Sequence, residues 1–358
     1  DFTTLLAFGL PPPELAKDLL QSMQTPALAT LLGFAKQTPL HRASEFARIL
    51  PHEQFFIQHG INADMSSLPA TACMRALGQM PSEGHWFMLN PVHIHIARDH
   101  LILTDQRQLP LSETESRALF DAAAPYFAES QIQIVYGDAC NWFARIDAWA
   151  ELDCASLDAA CGHNIDIWLP KQAASPHERQ WRKLQNEIQM LWYAHPVNEA
   201  RQEQGLPPVN ALWLWAGSNA QTSLPAAKPI QQINVGQQAT LGTPHQSSLH
   251  LLCQPAQAVS DMAAGSLLYL DQLSAPALAS DWGDWLQQIH ALEAHCFAPL
   301  LAKLKAGQIA QVHLVLSDSL QLTQFSTSRF SLNKFWRKPS LQALVRPRPA
   351  PPSNKVSA

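Results

Sequence analysis

The chain has no apolar run approaching the roughly 18 residues that a membrane-spanning helix needs, because Pro, Gln, His or a charge interrupts every candidate. Its opening, DFTTLLAFGLPPPELAKD, has neither the basic flank nor the small-residue cleavage site of a secretory signal. It has no CxxC pair: Cys73, Cys140, Cys154, Cys161, Cys253 and Cys296 are dispersed, a pattern that fits buried free thiols in a reducing compartment better than disulfides or zinc. Neither a P-loop nor a GxGxxG occurs, so the common phosphate-cradling nucleotide sites are excluded. Without a GxSxG elbow, no serine is marked as a hydrolase nucleophile. The expectation is a soluble, cytoplasmic protein that does not engage a membrane.

A basic surplus is also missing. The formal charge of −5 and a pI near 6.3 argue against a nucleic-acid partner, which calls for a basic face to neutralise phosphates. The one basic cluster, Lys334, Arg337, Lys338, Arg346 and Arg348, reads as a solvated tail. The eleven tryptophans read as core and interface anchors rather than as platforms for stacked bases.

With 358 residues, 47% of them hydrophobic, the chain can bury a sizeable core, and its length suits about two domains. Residues 1–80 read as a helical N-terminal region, with LLAFGL, PELAKDLLQSM, ALATLLGFAKQ and ASEFARIL each closed by Pro or Gly signals. Residues 81–218 read as an α+β domain. WFMLNPVHIHIA and HLILTD alternate as a hairpin, Ser112 with Glu115 makes a capping box for a helix through about Phe127, and QIQIVYG and NWFARID are strands. Residues 219–247 are rich in Gln, Pro, Ser and Gly and read as a linker. Residues 248–345 form a C-terminal lobe: LHLLC and SLLYLDQL as strands, a long amphipathic helix from Asp281 closed by Gly307, and a final hairpin of IAQVHLVLSD and LQLTQFS. Residues 346–358 read as a disordered tail. The fold class is α/β, in parts α+β, with mixed sheets and flanking helices in two lobes.

One stretch stands apart, NEIQMLWYAHPVNEARQEQGLPPVNALWLWAGS from Asn186 to Ser218. A helix from about Glu178 to Leu191 buries Trp181, Leu184, Ile188 and Leu191, and Pro196 breaks it and opens a short helix that Gly205 ends. Asn198 and Arg201 share a face of that short helix, and Asn210 leads into the strand ALWLW. There Trp213 and Trp215 point one way and Leu212 and Leu214 the other. His195, Asn198, Arg201 and Asn210 are thereby expected to converge beside Trp213 and Trp215 as a pocket for a small anionic or polar ligand. The structural alternative is that Asn ties turns, Arg caps carbonyls and His is a satisfied core donor.

This stretch, with GHWFMLNPVHIHIARDHLIL, GHNIDIWLP and FWRKPSL, resembles the bacterial family labelled regulatory protein of the RpfE type, over most of residues 80–340. That label implies regulation rather than a reaction. HPVNEARQEQGLPPVNALWLWAGS is also similar, more distantly, to the substrate-side segment of archaeal-type cofactor-independent phosphoglycerate mutases, which implies an alkaline-phosphatase-like fold. By that likeness His195, Asn198, Arg201, Gly205 and Asn210 match, whereas Trp215 stands where those enzymes place an arginine. The enzymes also need two metal ions held by Asp and His, and a serine nucleophile. Neither LSDSL at Asp318 nor SDMAAG at Asp261 supplies the following His, and no DGxGD-type start is present. The expectation is a binding or regulatory relative that has lost the metal chemistry, with a small anion or a protein as partner and no cofactor. The alternative is an active metal-dependent phosphoglycerate mutase or phosphatase. His93 and His95 form an HxH spacing compatible with a metal but read better as solvent-facing histidines of an amphipathic strand, and His290 and His295 share no helix face.

Overall fold

The computed structural model describes residues 1–61, 65, 67–98, 100–171, 176–222, 229–233, 248–262 and 265–346. The fold is mixed α/β, built on two sheets. The larger has seven strands in the order Gln254–Ala256, Ile230–Ile233, Leu267–Leu270, Phe2–Leu6, Gln311–Ser317, Gln321–Ser328, Lys36–Arg42. Its first five strands run parallel, and Gln321–Ser328 is antiparallel to its neighbours on both sides. Phe2–Leu6 lies at the centre, which corrects the helical reading of LLAFGL. A short apolar run fits either period, and here Thr3 and Thr4 give it β-branched stiffness while both faces are covered. The chain leaves this strand through Phe8, whose φ of 54° is unusual for a residue with a Cβ.

Two of the expected N-terminal helices form, Ala16–Ser22 and Pro26–Gly33. KQTPLHR is an exposed edge strand instead, and residues 43–50 are turns rather than the helix read from ASEFARIL. LHLLC is a 3-10 turn, Ser248–Leu252, because its polar members are held sideways: Ser248 Oγ donates to Asn141 Oδ1 at 3.0 Å and His250 Nε2 lies 2.6 Å from Asp271 Oδ2. Within the expected linker, Ile230–Ile233 is an inner strand with both isoleucines buried, and residues 223–228 and 234–247 lie outside the described residues. The long C-terminal helix forms as Trp282–Leu292, a π turn at Glu293–Phe297 and Ala298–Ala306, and Gly307 closes it at φ 75°. Of the expected tail, residues 347–358 lie outside the described residues. Arg346 is pinned by Asp318, Gln321 and the carbonyl of Pro11, and Arg337 donates to Ala35 O, so these two are not solvated as expected.

The second sheet is antiparallel, in the order Gln133–Tyr136, Trp142–Arg145, His85–Val92, Ala211–Asn219. The helices Glu113–Glu129 and His177–Tyr193 cover one face, with Trp181, Leu184 and Ile188 against Leu212 and Leu214. On the opposite face Trp86, Met88, Trp213 and Trp215 join the core of the large sheet. The strand ALWLW is therefore buried on both sides, and that explains an apolar run in place of alternation. Among the described residues no helix is long and apolar enough to cross a membrane.

Truncating Leu214→Ala is expected to cost about 2 to 5 kcal/mol in urea unfolding, because a cavity would open under the helix layer. Met190→Ala, at a side chain 77% exposed, should cost less than about 0.5 kcal/mol. Equal costs would contradict this assignment of faces.

Candidate functional site

The stretch from His195 to Trp215 forms as a Pro-opened short helix and a strand, and its polar groups spend their bonds on the fold. His195 caps the Pro196–Glu203 helix, its Nδ1 accepting from Val197 N at 3.2 Å. Asn198 Nδ2 donates to Trp192 O and Val209 O, and its Oδ1 accepts from Val209 N, each at 2.8 Å. Asn210 clamps the backbone of Ile94 in the same two-sided way. Arg201 is fully buried; its Nε donates to Pro207 O at 2.9 Å, and Nη1 donates to Pro110 O at 2.7 Å and Glu115 Oε1 at 3.0 Å. Glu115 also closes the capping box with Ser112, so one carboxylate joins the helix start to the corner. Burial pushes its pKa up, but Ser112 and Arg201 outweigh this and hold it below the usual carboxylate range. Only Nη2 of Arg201 is left buried without a partner. The tryptophan N–H groups are likewise used, Trp213 on Ala155 O at 2.8 Å and Trp215 on Asn90 Oδ1 at 2.6 Å.

His93 and His95 do share a side, their rings stacked 5.9 Å apart at 12°. His93 Nδ1 is bonded to Pro208 O at 2.8 Å and His95 Nδ1 to Thr104 Oγ1 at 3.1 Å. His93 falls between two strands and is half-buried, where a solvent-facing strand residue was expected. Among the described residues, no three His, Cys, Asp or Glu side chains are grouped as a metal ion requires.

Trp215 leads to a different constellation. It lines a cavity of about 20 Å³ together with Glu53, Asp105, Arg107, Asp158 and Ser248, room for about one water molecule. Arg107 lies on the 3-10 turn Gln106–Gln108 and grips two carboxylates. Its Nε is 2.8 and 3.0 Å from the Asp105 oxygens, while Nη1 and Nη2 are 3.3 and 2.6 Å from those of Asp158. His52 Nε2 stands 3.7 Å from Asp158 Oδ2, beyond hydrogen-bond reach, and both its ring nitrogens are buried without a hydrogen-bond partner. The His52 ring also lies 5.5 Å from Phe8, the strained residue that follows the central strand. Next door, Asp271 follows the strand Leu267–Leu270 and holds His250. The cluster thus gathers at the carboxyl ends of two adjacent parallel strands, where open α/β sheets place their ligands.

Burial opposes the charge of Arg107, but Asp158, Asp105 and Asp271 hold its guanidinium protonated more firmly than usual. Burial likewise raises Asp158, but Arg107 and His52 prevail and keep it well below the usual carboxylate range. Glu53 goes the other way: burial first, then the charge of Asp158, pushes it up to about 7, although Leu50 N and Ser156 Oγ both donate to it at 2.7 Å. Two buried carboxyls beside one another are thus driven apart in acidity, the pattern of a site that holds one proton.

Sequence reasoning missed Glu53, Asp105, Arg107, Asp158 and Asp271. The available signal was an acid just past an apolar strand, in LILTDQR and LLYLDQL.

Comparison with known proteins gives little to set beside this geometry. No family model matches the chain, the RpfE type included, and no curated protein does. Among solved structures it is similar to the PH0037 protein from Pyrococcus horikoshii, with a TM-score of 0.49 and 9% identity over 91% of this chain and 87% of that one. It is also similar to the cofactor-independent phosphoglycerate mutase from Thermoplasma acidophilum, with a TM-score of 0.38 and 14% identity over 96% of this chain and 94% of that one.

The raised pKa of Glu53 has a consequence for stability. Between its ordinary value of 4.5 and about 7 the folded protein keeps a proton that the unfolded chain releases, so stability should fall as pH rises through that window, by on the order of 3 kcal/mol. Urea midpoints of Glu53→Gln, which cannot titrate, should stay flatter than wild type over the same range. Parallel profiles would show that Glu53 titrates normally.

Proposed function

We propose that this chain is a binding or regulatory protein, taking a small anionic ligand or a protein partner, and that it does not carry out metal-dependent phosphoryl transfer. The observation that carries this reading is the position of Arg107. At the strand ends, where buried carboxylates converge, the cation between them is a side chain of the protein itself, forked onto Asp105 and Asp158. A divalent metal would compete with that guanidinium for the same oxygens, and displacing it would leave a buried charge unpaired. The resemblance of HPVNEARQEQGLPPVN to a substrate-side segment supports ligand binding, and the RpfE-type resemblance supports a regulatory role. His195, Asn198, Arg201, Asn210, Trp213 and Trp215 enter the proposal as the frame beside the closed Arg107 cluster, since Trp215 alone of the six lines its one-water cavity. The alternative, an active metal-dependent phosphoglycerate mutase or phosphatase, draws on the same convergence of carboxylates and requires Arg107 to move aside.

Metal analysis and turnover separate the two. The proposal expects well below one Mn, Zn or Mg per chain, a melting temperature raised by 3-phosphoglycerate, and no conversion of 3- to 2-phosphoglycerate with added Mn²⁺ or Mg²⁺. About two metal ions per chain with measurable turnover would establish the alternative.

A further inference from the structure

A second, larger cavity of about 440 Å³ opens on the other part of the large sheet, within the range of small-molecule sites. Its floor is the sheet face that carries Thr3, Leu267, His313 and Gln324, and its wall is the segment Pro51–Gly60, where Phe55 stacks on His59 at 4.0 Å and 12°. The chain as a whole carries 29 acidic residues and a net charge of −5, yet none of the residues lining this cavity is Asp or Glu. The polar groups there are imidazoles, amides and hydroxyls. Such a lining gives an anion donors without a competing carboxylate, and Phe55, Leu40 and Leu322 provide an apolar surface beside them.

The hydrogen bonds fix what His313 presents. Gln324 Nε2 donates to Ser326 Oγ at 3.0 Å, and the Ser326 hydroxyl is 2.9 Å from His313 Nδ1. The same amide nitrogen, a donor only, lies 3.3 Å from that Nδ1. With the Gln324 amide in this orientation Nδ1 accepts, and the proton of the neutral imidazole sits on Nε2 as a donor. Ser326 and Gln324 act on His313 as positioning residues, because they set its tautomer from the neighbouring strand.

We propose that this cavity binds a small organic anion, with the carboxylate or phosphate group received by His313, Gln54 and His41 and the apolar body resting on Phe55 and Leu322. The inference rests on the small-ligand reading above and gives it a location separate from the closed cluster around Arg107.

Calorimetric titration of the full chain with phenyl phosphate, and with benzyl alcohol as its uncharged counterpart, tests the proposal. Phenyl phosphate should bind at least tenfold more tightly than benzyl alcohol. Gln54→Glu, at a half-buried position, should weaken phenyl phosphate at least tenfold by adding a carboxylate, with the melting temperature unchanged, and His313→Ala should weaken it in the same sense. Inorganic phosphate should compete if the anionic group directs binding. Equal affinity for the two aromatic probes would overturn the anion specificity. Binding of phenyl phosphate untouched by both substitutions would overturn the cavity and leave small-ligand binding standing. No response to phenyl phosphate, inorganic phosphate or 3-phosphoglycerate would overturn both.

Discussion

The contact on which the rest of the architecture depends is the guanidinium of Arg107 forked onto Asp105 and Asp158. Removing three charges from water costs several kcal/mol each, and only close, multiply bonded geometry offsets that cost. Planar arginine meets the requirement where lysine would not, because it reaches both carboxylates of the pair at once. The contact also fixes three pieces of chain. Gln106, next to Arg107, donates to Cys140 O and Pro91 O and so ties the turn to the small sheet. Asp158 sits on the short helix that follows Ser156, whose hydroxyl reaches Glu53 beside the large sheet.

Around that contact the two sheets meet through tryptophan. Trp213 and Trp215 turn their rings into the shared core and place their N–H groups on Ala155 O and Asn90 Oδ1, and Asn90 continues through Asn141 to Ser248. The space left in this seam holds about one water. Such a region suits holding two layers in register, with Glu53 raised and Asp158 lowered in pKa beside one another. Ligand-sized space lies instead between the large sheet and the segment Pro51–Gly60, beside Phe55 and His313.

Elements written in local sequence were legible: the Ser112–Glu115 capping box, the helix His177–Tyr193, the breaks at Pro196 and Gly205, the closing Gly307 and the final hairpin. Phe2–Leu6 was not, because its identity as a strand comes from the parallel neighbours Leu267–Leu270 and Gln311–Ser317, brought from the far end of the chain. The corner residues were recognisable as a polar group, but sequence shows donors and not their acceptors. The carbonyls of Pro110, Pro207 and Val209 that receive Arg201 and Asn198 carry no mark in the sequence. The charged cluster was harder still, since Glu53, Arg107, Asp158 and Asp271 come from four separate segments whose meeting only the tertiary fold decides.

A double-mutant cycle on Arg107→Met and Asp158→Asn, read by urea unfolding at neutral pH, tests the central contact most directly. Each single change leaves a buried partner unpaired, so the account predicts large individual losses and a double variant that recovers about 2 kcal/mol or more of their sum. Losses that add to within about 0.5 kcal/mol would show the two groups to be independent, and the internal cation would not be what holds this centre together.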